Sequence, residues 1–186
     1  MRVVAGSAGG RLLRAPAGRA TRPTSDRVRE AVFSMLDSLD AIDGADVLDL
    51  FAGSGALGIE ALSRGARRVT FVEREAAARS AIGHNLTVID GGAERATILG
   101  AEVLGFLASA PAAGLVFADP PYAYDRWPVL LERLRSVAGV AVLESGRPLT
   151  LGPGWETVRE RSYGGTVVVI ARPVPRPDGV GAKGAR

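Results

Sequence analysis

The chain has 186 residues, 47% hydrophobic and 23% charged, with a net charge of +3, the balance of one soluble globular domain with a sizeable core. The lack of cysteine excludes a disulfide framework, a thiolate metal site and a thiol nucleophile; with one histidine, His84, an imidazole zinc site is also disfavoured and no metal is expected. No apolar run approaches the roughly 20 residues that cross a bilayer, and the first six residues are not a secretory signal, so a cytoplasmic protein without membrane contact is expected.

Charge is distributed unevenly. Residues 1–29 hold seven arginines (Arg2, Arg11, Arg14, Arg19, Arg22, Arg27, Arg29) against one acid, Asp26. Residues 30–171 hold 12 bases and 18 acids, and residues 172–186 hold four bases and Asp178. A basic arm and tail flanking an acidic body point to a phosphate backbone as partner, although a solubilising pattern gives the same counts. Arginine suits bidentate phosphate contact.

In chain order, residues 2–5 and 11–14 bracket Gly6-Ser7-Ala8-Gly9-Gly10 and read as a hairpin. Thr24 or Ser25 then caps a helix, with Val28, Ala31, Val32, Met35, Leu36 and Leu39 at helical spacing. From Asp46 strands and helices alternate. Strands are predicted at 47–50, 68–73, 96–99, 115–119 and 140–143. Helices are predicted at 56–64 (stopped at Gly65), 75–89, 102–109 and 128–137. Residues 155–161 and 166–171 surround Tyr163-Gly164-Gly165 and read as a closing hairpin that adds antiparallel edge strands. Continuous apolar strands between helices mean an α/β domain with a parallel sheet covered on both faces. The expected division is an N-terminal extension over residues 1–40, a catalytic domain over 41–172 and a disordered basic tail over 173–186.

The first motif is Asp49-Leu50-Phe51-Ala52-Gly53-Ser54-Gly55-Ala56-Leu57-Gly58, between a strand and a helix. Gly53, Gly55 and Gly58 match a nucleotide-binding fingerprint, in which the backbone turns sharply and helix amides face a ligand. Phe51, Ala52, Gly53, Ser54 and Gly55 are the cradle candidates. Glu73 closes the second strand, where an acid accepts from ribose hydroxyls. A nicotinamide dinucleotide and S-adenosylmethionine compete for such a loop. Asp49 favours the second, because a carboxylate there can hold a methionine ammonium but would repel a pyrophosphate. Glu102, after the third strand, is placed to meet an adenine amino group; a solvated acid in a first helical turn explains it equally well.

The second motif is Asp119-Pro120-Pro121-Tyr122, at the end of the fourth strand, where open parallel sheets bind ligands. The prolines stiffen the backbone and leave carbonyls as acceptors. Tyr122 offers a face for stacking a base. An amino group on a base is a weak nucleophile. If Asp119 and the Pro120 carbonyl each accept one N–H, the nitrogen is drawn towards tetrahedral geometry and its lone pair becomes available to a methyl donor. Asp119 also borders the methyl end of the cofactor pocket.

These two motifs, the arm (Arg22-Pro23-Thr24 with Arg27-Val28-Arg29-Glu30-Ala31-Val32-Phe33) and Glu60-Ala61-Leu62-Ser63-Arg64-Gly65-Ala66 together resemble the bacterial RsmD family over residues 1–171. The resemblance implies a class I S-adenosylmethionine-dependent methyltransferase, Rossmann-like, with seven strands, the last antiparallel. It implies S-adenosyl-L-methionine as cofactor, held by Asp49, Gly53, Gly55 and Glu73, and amine recognition by residues 119–122. The implied substrate is a guanine N2 of 16S rRNA, guanine 966, on a partly or fully assembled 30S subunit; the implied state is a monomer. Where this chain has Glu102 the family usually has Asp. Arg11, Arg22, Arg27 and Arg29 are the RNA-docking candidates, with Thr24 ordering the pocket entrance; an N-cap and a solvated helix face is the plainer reading. The alternatives are a DNA adenine-N6 or cytosine-N4 or protein-amide methyltransferase, a nicotinamide-dependent oxidoreductase and a non-catalytic RNA-binding factor.

Overall fold

The structure is a computed structural model and describes residues 1–16 and 26–175. Helix α1 spans Asp26–Asp37, and the caps expected at Thr24 and Ser25 lie outside the described residues. The alternating part follows as β1 (Asp46–Leu50), α2 (Ala56–Ser63), β2 (Arg68–Val72), α3 (Ala76–Asn85), β3 (Ala96–Leu99), α4 (Val103–Leu107), β4 (Ala113–Ala118), α5 (Trp127–Leu134) and β5 (Ala138–Ser145). The chain closes with β6 (Trp155–Tyr163) and β7 (Thr166–Pro173). Helix α3 ends earlier than its apolar pattern suggests. A 3₁₀ turn, Leu86–Val88, follows it, and the Asn85 side chain turns away to bind the N-terminal arm.

The seven strands lie in the order β3-β2-β1-β4-β5-β7-β6. Strands β1 to β5 pair in parallel. The apolar runs of β1, β4 and β5 are buried on both faces, which is why they are continuous and not alternating. Strand β7 is antiparallel to both β5 and β6. The closing hairpin therefore differs from expectation in one respect. Val167 to Ala171 are all buried, so β7 is interior and, of the hairpin's two strands, β6 alone is an edge. Charged Glu156, Arg159, Glu160 and Arg161 on β6 suit a strand whose outer backbone is unpaired.

The sheet has two packed faces. Helix α1, residues 1–13, α2 and α3 cover one, around Phe33, Ile59, Phe71 and Phe117. Helices α4 and α5 cover the other, around Leu104, Leu130 and Leu143. Gly58 permits the close approach of α2 to β2, since a Cβ there would stand 2.4 Å from Phe71 Cε1.

The N-terminal hairpin is reduced to one antiparallel bridge, Arg2 to Leu12. Side chains from α2 do most of the anchoring. Glu60, fully buried, accepts from Val4 N at 2.6 Å and Ala5 N at 3.0 Å, and from Arg64 Nε at 2.8 Å. Ser63 Oγ accepts from Ala8 N at 2.9 Å and donates to Ala5 O at 2.6 Å. Replacing Glu60 with Ala strips two amides of their acceptor and leaves Arg64 with Asp37 alone. The expected loss is about 3 kcal/mol in urea unfolding, with early proteolysis within residues 1–14. A loss under about 0.5 kcal/mol, the level of an ordinary surface change, would mean that Glu60 does not anchor the arm.

Candidate active site

The chain runs outward from β1 to β2 and β3, then returns to place β4 on the other side of β1. A crevice opens beyond the carboxyl ends of the strands at such a reversal. Both motifs end there.

The first motif forms a tight loop between β1 and α2. Phe51 (φ 58°), Gly53 (φ 56°) and Gly55 (φ 77°) all adopt left-handed backbone. Phenylalanine resists that conformation, so the loop holds Phe51 under strain. Hydrogen bonds from both sides fix it. Ala52 N donates to Val72 O at 3.2 Å and Gly55 N to Ala52 O at 2.7 Å. Glu73 accepts from Gly53 N through one oxygen and from Glu75 N through the other, each at 2.9 Å. Asn85 Nδ2 donates to Ser54 O at 3.0 Å and to Arg14 O at 2.9 Å, while Asn85 Oδ1 accepts from Arg14 N at 2.8 Å. One buried amide thus ties the arm to the loop. Ser54 Oγ lies 3.6 Å from Met1 Sδ.

Asp49 is buried beneath the loop and accepts from Gly58 N at 2.9 Å. Burial pushes its carboxyl up to about 7 and Glu73 adds to this, against the pull of the Gly58 amide. Asp119 is raised well above the ordinary carboxylate range, first by burial, then by Glu144 and Asp49. Sheet register explains the grouping. Phe71, Asp49, Phe117 and Val142 align across β2, β1, β4 and β5. Side chains alternate along a strand, so Glu73, Asp119 and Glu144, each two residues further on, share that face. Four carboxylates therefore share the crevice face in strand order, Glu73, Asp49, Asp119 and Glu144, with Asp49 one side-chain step lower than the other three. Sequence reading found the first three. Glu144 follows an apolar run and looks like a strand boundary until its alignment beside Asp119 is known.

The second motif turns sharply. Pro121 O accepts from Tyr124 N at 2.8 Å. Pro120 is buried, and no hydrogen bond among the described residues uses its carbonyl. Tyr122 is 58% exposed, with its hydroxyl 3.1 Å from Thr166 Oγ1.

Tyr124 is a further residue that sequence reading missed. Its ring meets Phe51 edge-on at 5.3 Å and Trp127 at 5.8 Å. Its hydroxyl oxygen is buried, with no hydrogen-bond partner among the described residues, and burial raises its proton affinity. Phe51, Ala101, Phe106 and Tyr124 are half-buried on the same core. This apolar wall, with one unsatisfied hydroxyl near Glu102, fits a purine. Glu102 itself caps α4, accepting from Gly105 N at 2.8 Å, and faces Arg126 at 3.7 Å.

The RNA candidates divide. Arg11 and Arg27 are exposed, and Arg22 and Thr24 lie outside the described residues. Arg29 is a correction. It is 1% exposed, donates to Asp26 Oδ1 at 2.8 Å and also to Arg2 O. It ties α1 to the arm and does not reach a phosphate.

A family model described as Conserved hypothetical protein 95 matches residues 1–172. Ribosomal RNA small subunit methyltransferase D of Escherichia coli K12 is 36% identical over 174 residues, covering 88% of this chain and 85% of that one. The chain is a member of the RsmD family. The Haemophilus influenzae protein of the same name is 34% identical and covers 88% of this chain and 89% of its own. Among solved structures, yhhF from Escherichia coli superposes with a TM-score of 0.82 at 32% identity, covering 95% of this chain and 99% of that one.

Proposed function

We propose that this chain methylates the exocyclic N2 of a guanine in small-subunit ribosomal RNA, on an assembled or partly assembled 30S particle, with S-adenosylmethionine as methyl donor. It is an rRNA methyltransferase, as its relatives are named; guanine 966 is the target that the family resemblance implies. The observation that carries the reading is the row Glu73, Asp49, Asp119, Glu144 across four adjacent strand ends.

The donor supplies an electrophilic methyl group on a positively charged sulfur. Every other part falls to the protein. Asp49 would hold the donor's ammonium, Glu73 its ribose hydroxyls, and Phe51 and Tyr124 its purine. Asp119 and the Pro120 carbonyl accept the two N–H bonds of the target amine and turn its lone pair towards the methyl. With the donor bound, its C–S bond would break as the N–C bond formed, and the amine would become cationic. Asp119 stabilises that charge. Its raised proton affinity suits it to take the released proton, which then passes to water.

Glu144 favours guanine over the other bases. Beside its amine, guanine carries a second donor, N1–H; adenine and cytosine carry a lone pair at the matching position. A second acceptor next to Asp119 fits guanine and leaves the others with two facing acceptors. The reading is tested by methyl transfer to 30S particles from a strain without the enzyme, followed by mass spectrometry of the nucleosides. N2-methylguanosine is expected. Labelling of duplex DNA and not of particles would overturn the choice. Particles rebuilt with 2-aminopurine at the target keep the amine and lose N1–H. Their kcat/KM is expected to fall at least about tenfold, and the fall should shrink in Glu144→Ala. Equal use of both bases by the wild type would remove Glu144 from recognition.

A further inference from the structure

Beside Asp119 lies an open depression of about 200 Å³ that reaches past the reacting groups to Arg147. Tyr122, Gly146, Arg147 and Gly165 line it, so three separate segments meet there: the turn after β4, the loop after β5 and the β6–β7 turn. Tyr122 is exposed but not loose. Thr166 holds its hydroxyl, and its ring lies against Gly146, where a Cβ would stand 2.7 Å from Cδ1. Only glycine lets the ring rest there. Arg147 is exposed, and its backbone N–H donates to the buried Ser145 Oγ at 3.2 Å. Its guanidinium has no acidic partner among the described residues.

A braced aromatic ring beside an unpaired guanidinium suits a nucleotide, with a ring to stack and a phosphate to bind. Arg147 is three residues beyond Glu144, so the two lie no more than about 10 Å apart along the chain. That is the reach of one step of an RNA backbone from a base seated over Glu144.

We infer that a backbone phosphate flanking the target guanine rests on Arg147, in the depression bordered by Tyr122 and Gly146. The inference rests on the rRNA reading above. It makes Arg147 an RNA contact outside the basic arm, reading no base and fixing the strand's register.

The test measures particle binding and methyl transfer separately, with 30S particles from a strain without the enzyme. In Arg147→Ala, the KM and dissociation constant for particles should rise about tenfold, and the salt slope of binding should fall by about one. Turnover at saturation and S-adenosylhomocysteine affinity should be unchanged. Arg147→Lys should recover part of the loss. Unchanged particle affinity and salt slope in Arg147→Ala would overturn the contact. A fall in S-adenosylhomocysteine affinity with particle binding intact would also overturn it, since Arg147 would then support the cofactor wall. Wild-type protein that binds particles but does not methylate them would sink the activity reading, with the Arg147 contact still decided by the binding slope. Wild-type protein that does not bind particles would sink both.

Discussion

Replacing Asp119 with Ala should lower turnover between about a hundredfold and a thousandfold while S-adenosylhomocysteine binds as before. The variant loses the acceptor that shapes the amine and stabilises its developing charge. It should also fold well. Asp119 has a raised proton affinity in the folded state, so its contribution to stability is fully present only below the ordinary carboxylate pKa and is lost as pH rises. That stabilisation fades as pH rises through the raised titration range of Asp119, so the melting temperature of the Ala variant should gain on that of the wild type with rising pH. Single-turnover methyl transfer, calorimetry with S-adenosylhomocysteine and a melting curve separate these effects. Turnover within about threefold of wild type would end the role given to Asp119, because transition-state contacts of this kind are worth far more.

The second large effect is at Asp49, and it divides binding from stability. Asp49→Asn keeps an oxygen for the Gly58 amide but loses the charge. Cofactor affinity should fall about a hundredfold, as when one partner of a buried charge pair is removed. Stability should move the other way at high pH. The folded carboxyl titrates at about 7 against an ordinary value of 3.8. The folded state therefore holds this proton more tightly than the unfolded chain does. That stabilisation is complete below 3.8, erodes between 3.8 and about 7, and is gone above 7. The Asn variant lacks this erosion, so it should gain on the wild type as pH rises from 5 to 8. A cationic ammonium beside Asp49 draws its proton off, so wild-type affinity for S-adenosylhomocysteine should weaken below about pH 7. The variant's weaker affinity should be flat across that range. An equally steep pH profile in the variant would assign the titration to another group.

The parts of this molecule that were legible from sequence are those that local rules control. Val47 to Leu50 and Leu115 to Ala118 had to be strands, and the loop glycines and paired prolines marked the crevice. What escaped depends on residues far apart in the chain. Glu144 gains meaning only when β4 and β5 align it with Asp119. Arg29 sits at a helix position that looked solvated, and it is buried because Arg2 folds back across it. Glu60 is one acid in the apolar sequence of α2, and that oddity was the one local sign of an internal acceptor. The interior position of β7 follows from strand order, which turn chemistry does not reveal.

The carboxylate row also has a kinetic meaning. A trough lined by Glu73, Asp49, Asp119 and Glu144 attracts cations and pushes polyphosphates away. While the trough is bare, an incoming RNA strand meets the repulsion of those carboxyls that are ionised. Once a cationic guest has settled in it, that barrier drops, so arrival should be sequential, with the small charged ligand first and the RNA second.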